Sequence, residues 1–215
     1  MKKLLKNKII SITPQKRQNN RYSVQLDNGE IFGLSSDVYI SYKLSVGQNI
    51  SNEELISINR EEETYRIRNS AFKLLSYRMR SKSELYHRLL QKKYKVNLIE
   101  SVINELETKE FLNDREFATA FIRDKVKNKK LGPAAIRNAI GVHQISAEII
   151  DDTMQKVYSE FPFEELILSI INKRSKIVKE KTIKERKKMI DHLKRKGYHW
   201  SRIQPILAQT GWLEL

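Results

Sequence analysis

The sequence predicts a mainly α-helical chain, with tandem repeats of three-helix units in an elongated curved array behind a small amino-terminal β-hairpin extension. Helix-initiation signals recur at short intervals beyond residue 65, and an apolar pattern returns three times with one internal spacing. With only 7 Gly, 4 Pro and 8% aromatics in 215 residues, the composition suits many modest helices better than one large sheet.

The first elements read as strands. Tyr22, Val24 and Leu26 alternate with polar residues, Asn28-Gly29 offers the positive φ angles of a two-residue hairpin turn, and Ile31-Phe32 begins the returning strand. Ile10 and Ile12 supply a third strand, so residues 8 to 34 form a sheet too small to stand alone. Ser36 to Lys43 reads as a short helix, and Ser51-Asn52-Glu53-Glu54 as a capping box opening a charged linker helix towards Tyr65.

Beyond Tyr65 the chain reads as helix throughout. Ser81 with Glu84, Asn97 with Glu100, Asn113 with Glu116 and Thr182 with Glu185 each place an oxygen acceptor three residues before an acid, and Gly132-Pro133 marks a further start. Leu85, Leu89, Tyr94, Ile99 and Ile103 are matched 51 residues later by Ile136, Ile140, Ile145, Ile150 and Met154, and 53 residues after that by Met189, Leu193, Tyr198, Ile203 and Leu207. Each copy is an apolar-faced helix, a tight turn and a second such helix. A further helix precedes each pair, at Ala71-Phe72-Leu74-Leu75, Phe117-Ala118-Phe121-Ile122 and Leu166-Ile167-Ile170-Ile171. The expected domains are residues 1–64 for the extension and linker helix, then repeats at 65–112, 113–160 and 161–215.

Lysine and arginine exceed aspartate and glutamate by 41 − 26 = 15, which points to a polyanionic partner, nucleic acid before membrane. The absence of cysteine excludes disulfides, thiolate metal sites and a cysteine nucleophile, and it suits a reducing cytoplasm. The start, Met1 to Asn7, is basic, but Ile9 to Pro14 is too short for a signal sequence and no run reaches the length of a membrane span, so the expectation is an untargeted cytoplasmic protein. No phosphate loop, dinucleotide fingerprint, His-Glu-x-x-His motif or nucleophile elbow is present, and the four histidines share no ligand spacing; no catalysis, cofactor or metal is expected.

Two basic concentrations stand out. Lys173 to Lys196 holds 12 Lys or Arg against 3 acids, a net of 12 − 3 = +9. On a helix from 183 to 196, Ile183, Met189, Ile190 and Leu193 read as the buried side, while Lys184, Lys187, Lys188, Lys194 and Arg195 fall largely opposite. The second concentration, Arg123 with Lys125, Lys127, Lys129 and Lys130, lies on and just beyond the helix preceding Gly132-Pro133, where complementing the helix dipole explains lysine as well as ligand binding does. From it Lys125, Lys129 and Lys130, with Arg137 beyond, join the five of the first. These nine residues are the candidate contacts; a solvated face is the structural alternative for any charge run. Tyr77, Tyr86, Trp200 and Trp212 carry no obvious core role, and packing competes with base stacking for each.

The stretch from Ala71 to Leu85 (AFKLLSYRMRSKSEL), the junction Phe111-Leu-Asn-Asp-Arg-Glu-Phe-Ala118 and the segment Lys130-Leu-Gly-Pro-Ala-Ala-Ile-Arg137 resemble, in order and spacing, the RecX family. The resemblance implies three tandem three-helix units and a non-enzymatic regulator that binds the groove of the RecA–DNA filament. Its implied partners are the RecA recombinase filament and single- and possibly double-stranded DNA, its implied state is monomeric, and its implied setting is DNA repair, recombination and the SOS response. The turn departs from the family's Lys-Gly-Tyr in the first unit, Lys92-Lys93-Tyr94, and keeps it in the third, Lys196-Gly197-Tyr198; in the second the glycine is displaced to Gly141. A helix-turn-helix transcriptional regulator is the alternative, although the second helices of the first two pairs are acidic and only the third, with Arg202 and Gln204, could read bases.

Overall fold

The computed structural model describes residues 6–16, 20–178 and 180–213; the basic start from Met1 to Leu5 and Lys179 of the basic run lie outside them. The chain divides into two compact units, residues 1–78 with 85–108 and residues 79–84 with 109–215.

In the first unit a four-stranded antiparallel sheet, ordered β3-β2-β1-β4, is formed by β1 (Lys6–Pro14), β2 (Arg21–Leu26), β3 (Ile31–Ser35) and β4 (Asn49–Ser51). Sequence reasoning missed β4, whose three residues are too short for an alternation signal. A bulge between Ile9 and Ser11 adds one residue to β1, so Ile9 is buried and Ile10 turns outward, reversing the side expected from strict alternation. The hairpin loop has three residues, not two. Asp27 and Asn28 form a turn closed by Gly29 N to Leu26 O at 3.0 Å, and Gly29 takes the positive φ of 86° before Leu26 N bonds Glu30 O.

Helix α1 (Ser36–Ser41) is followed by α2 (Asn52–Tyr77), which starts at a complete Ser51–Glu54 capping box and continues for 26 residues. The linker helix and the first helix of the first repeat are thus one element, running unbroken through residue 64. Glu62 of α2 is buried, accepts from Ser35 N at 2.8 Å and pairs with Arg21 at 2.6 Å, tying sheet to helix. With α3 (Lys82–Leu90) and α4 (Val96–Thr108) the first helix trio is complete. Asn97 lies inside the first turn of α4, whose amides at Leu98 and Ile99 bond the carbonyl of Lys95, so it is not the cap its spacing suggests.

The second unit holds α5 (Asp114–Lys129), α6 (Pro133–Ile140), α7 (Ala147–Glu160), α8 (Phe163–Ser175), α9 (Ile183–Arg195) and α10 (Trp200–Gln209), with a 3₁₀ turn at Gly141–His143. Asn113 caps α5 through Arg115 N and Glu116 N, and Thr182 caps α9 through Glu185 N at 3.3 Å. Every one of the fifteen repeat positions is buried except Tyr94, which is half-buried and hydrogen-bonds Ser70 at 2.9 Å.

Two features show that the trios share one geometry. First and third helices of a trio are linked at a constant separation of 37 residues, by Arg68–Glu105, Arg115–Asp152 and Arg123–Glu160, and in the third trio Ser175, the last residue of α8, meets Trp212, just past α10, at the same separation. Two links at one separation on α5 and α7 mean that these helices run parallel in fixed register. Secondly, the residue before each apolar turn position is left-handed: Lys93 at φ 62°, Gln144 at 52° and Gly197 at 90°. The displaced Gly141 has an ordinary φ of −55°, so the second turn keeps its shape by straining Gln144.

Candidate nucleic-acid interface

The basic residues of the second unit are organised by helix ends. Basic side chains occupy the last turns of α5 (Lys127, Lys129), α8 (Lys173, Arg174) and α9 (His192, Lys194, Arg195), where they complement the partial negative charge of the carbonyl terminus. Packing brings these three ends together around a cleft of about 530 Å³. Lys129 and Lys130, Lys173 and Arg174, and His192 and Lys196 all line it, and no carboxylate does. The two basic concentrations of the sequence therefore meet in space.

The helix-end carbonyls that would oppose an anion here are already occupied. Lys130, the left-handed cap of α5, ends the helix. The successive carbonyls of Lys129, Lys130 and Leu131 accept from Lys196 Nζ at 2.7 Å, the Tyr198 hydroxyl at 3.1 Å and the Tyr158 hydroxyl at 2.8 Å. Burial raises both phenols above their ordinary value, so they stay protonated donors. The same joint is closed by backbone: Gly132 N donates to Lys196 O at 2.7 Å and Ala134 N to Gly197 O at 3.2 Å. A Cβ on Gly197 would stand 2.3 Å from Ala135 N, and one on Gly132 would stand 2.7 Å from the Gly197 carbonyl. Two glycines thus permit an approach no other residue allows.

Charge in the cleft is only partly compensated. Glu185 takes Arg174 at 3.2 Å and Lys188 at 2.5 Å, and these bonds, Lys188 first, hold its carboxyl below the usual range. Arg174 Nε is buried without a hydrogen-bond partner. Burial, then Lys196, Arg174 and Arg195, push His192 below its ordinary value, so it is neutral near pH 7.

The nine candidate contacts are distributed over several surroundings. Lys129 and Lys130 line the cleft. Lys184, Lys187, Lys188, Lys194 and Arg195 are exposed on α9, with Lys188 engaged by Glu185 and Lys194 lying 5.6 Å from the Trp200 ring centre. Lys125 is half-buried over Phe121 at 4.9 Å and beside Asp124 at 3.2 Å, and Arg137 pairs with Asp151 at 2.6 Å. Ile183, expected on the buried side, is 86% exposed. At 100° per residue it falls about 120° away from Met189, whose side of α9 is continued at the amino end by half-buried Glu185 and Arg186. Lys173, Arg174, His192 and Lys196 were not singled out beforehand; three lie inside the noted basic run as helix-end lysines or arginines, but only packing selects them.

Of the uncommitted aromatics, Trp212 is buried with Nε1 on Ser175 Oγ, Trp200 and Tyr86 are half-buried, and Tyr77 is exposed. His143 packs against Phe117 and Phe121. Among the described residues no helix is long and apolar enough to cross a membrane.

Family models match three segments: the RecX first three-helix domain at residues 68–106, the RecX second three-helix domain at 113–154 and the regulatory protein RecX N-terminal domain at 7–51. The last covers nearly all of the sheet. Regulatory protein RecX of Bacillus velezensis is 30% identical over 208 residues, covering 94% of this chain and 77% of its own, and that of Bacillus subtilis strain 168 is 29% identical over 207 residues, covering 94% and 76%. A crystal structure of regulatory protein RecX matches with a TM-score of 0.73 at 24% identity over 93% of this chain and 98% of its own. The structure of RecX from Lactobacillus salivarius gives 0.64 at 20% identity over 71% and 99%. These two likenesses speak for the fold.

Proposed function

The chain belongs to the RecX family, and from that premise we propose that it is a non-enzymatic regulator that binds the groove of the RecA–DNA filament and inhibits or modulates recombinase activity. The observation that carries the proposal is the meeting of the α5, α8 and α9 ends, which sets five cations round one cleft without a lining acid. Such a surface suits phosphates, whose neutralisation releases counterions and supplies affinity. The exposed lysines of α9 extend it with weaker, adaptable contacts. Several such contacts made at once give avidity to a ligand that repeats along its length, as a nucleoprotein filament does. A regulator that prefers a blocked or shortened filament shifts the population towards that state in proportion to the preference.

DNA repair, recombination and the SOS response are the setting this activity fits, in the cytoplasm and with the chain acting as a monomer. A sequence-reading helix-turn-helix regulator is the less favoured alternative. Glu100 and Glu107 of α4 and Glu148 and Asp151 of α7 lie exposed where base-reading side chains would be needed.

The experiment is a salt titration of binding to single-stranded DNA. Replacing Lys129, Lys173 and Lys196 together by Gln should reduce the slope of log K against log salt by about 2, at roughly 0.7 per phosphate contact. An unchanged slope would remove the cleft from the interface. Tight preference for one duplex sequence would favour the alternative.

A further inference from the structure

A second cleft, of about 590 Å³, opens on the other residues of the Gly132–Gly197 joint, where Pro133 and Ala134 meet Gly197 and Tyr198. Its wall carries a layered arrangement. Phe163 is held against Tyr158, ring centres 4.5 Å apart, and edge-on to Tyr198 at 6.4 Å. The Arg202 guanidinium lies 5.2 Å from the Phe163 ring centre. Arg202 is exposed on α10, so a further planar group can join the pair without displacing either. Lys194 and Arg137 line the same cleft, the latter in a half-exposed pair with Asp151, and His199 is fixed by Ser201 at 2.9 Å.

We propose that this cleft binds one unpaired nucleotide of a single strand, its base stacked on the Arg202–Phe163 pair and its flanking phosphates met by Lys194 and Arg137. The inference rests on the nucleic-acid reading above; it takes Lys194 and Arg137 from the candidate contacts but shares no residue with the cleft round Lys129 and Lys173. A guanidinium backed by an aromatic ring offers a flat, cationic face, and stacking on such a face tolerates any base. The cleft round Lys129 and Lys173 is lined by no Phe, Tyr or Trp, and the phosphates it suits are offered by single and double strands alike. The Arg202 cleft distinguishes them, because a paired base has no free face to offer.

The test compares oligothymidylate with an abasic phosphodiester chain of the same length, by fluorescence anisotropy with wild type and Arg202→Lys. The lysine keeps the charge and removes the plane, and an exposed site should leave folding intact, which circular dichroism checks. Wild type should prefer the base-bearing strand about tenfold, and Arg202→Lys should abolish most of that preference while leaving affinity for the abasic chain unchanged. Equal wild-type affinity for both strands, or a preference that survives in Arg202→Lys, overturns the stacking site and leaves the phosphate reading standing. Binding of neither strand overturns both.

Discussion

Replacing Gly197 by alanine should destabilise the second unit more than any other glycine-to-alanine change in it. The residue has φ +90°, and an added Cβ would meet Ala135 at 2.3 Å from N and 2.7 Å from Cβ. Left-handed backbone costs a side-chain-bearing residue about 1–2 kcal/mol. Relieving the contact requires the α6 start and the α9–α10 turn to separate, loosening the Gly132–Lys196 and Ala134–Gly197 hydrogen bonds at about 1 kcal/mol each. The sum, about 3–4 kcal/mol, corresponds to a fall in Tm of about 10 °C at this chain length. Gly132→Ala isolates the contact from backbone strain, since its φ of −88° suits any residue, and it should lose about half as much. Gly141→Ala is the control: φ is −55° and nothing lies within 4 Å, so a change of about 0.5 kcal/mol towards greater stability is expected. Thermal unfolding followed by circular dichroism measures all three. Equal melting temperatures for the Gly197 and Gly141 variants would refute the argument that this joint is held by backbone contact.

Tyr158→Phe and Tyr198→Phe should each cost about 1 kcal/mol by leaving the Leu131 or Lys130 carbonyl without its donor, readable as a shift in denaturant midpoint without a change in m. Gln144→Gly and Lys93→Gly should stabilise, by up to about 1 kcal/mol, because each relieves a left-handed side-chain-bearing residue at an exposed turn; a loss in urea melts would contradict this. His192 binds its proton less tightly folded than unfolded, so the stability it supports is complete above about pH 6.5 and falls as pH drops below that value. His192→Gln should flatten that part of the stability profile, and phosphate bound in the cleft, which favours the protonated ring, should flatten it in the native chain.

How much of this was legible beforehand depends on the range of the interaction. The apolar repeat was legible because helix periodicity is local, and Leu85, Ile136 and Met189 occupy equivalent core places as their spacing required. Caps at Ser51, Asn113 and Thr182 were readable for the same reason, whereas Asn97 mimics a cap three residues before an acid but sits one turn position inside its helix. The bulge at Ile9–Ser11 and the three-residue hairpin loop shift registers by one residue, which alternation alone cannot detect. Charge density picked Lys129, Lys130 and the α9 lysines as candidates, but the cleft that Lys129 and Lys130 line is made by non-local packing. Lys173, Arg174 and Lys196 looked like dipole-complementing helix ends, and only the approach of Gly132 to Gly197 brings them opposite Lys129. Arg137 and Lys125, read as candidate contacts, are engaged by Asp151 and Asp124.

The most direct test of the central claim is single-stranded-DNA-stimulated ATP hydrolysis by RecA from the same source, titrated with this protein well below one molecule per recombinase subunit. The account predicts marked inhibition at that ratio, weakened when Lys129, Lys173 and Lys196 are replaced by Gln. Undiminished hydrolysis up to equimolar amounts, with DNA binding confirmed separately, would contradict it.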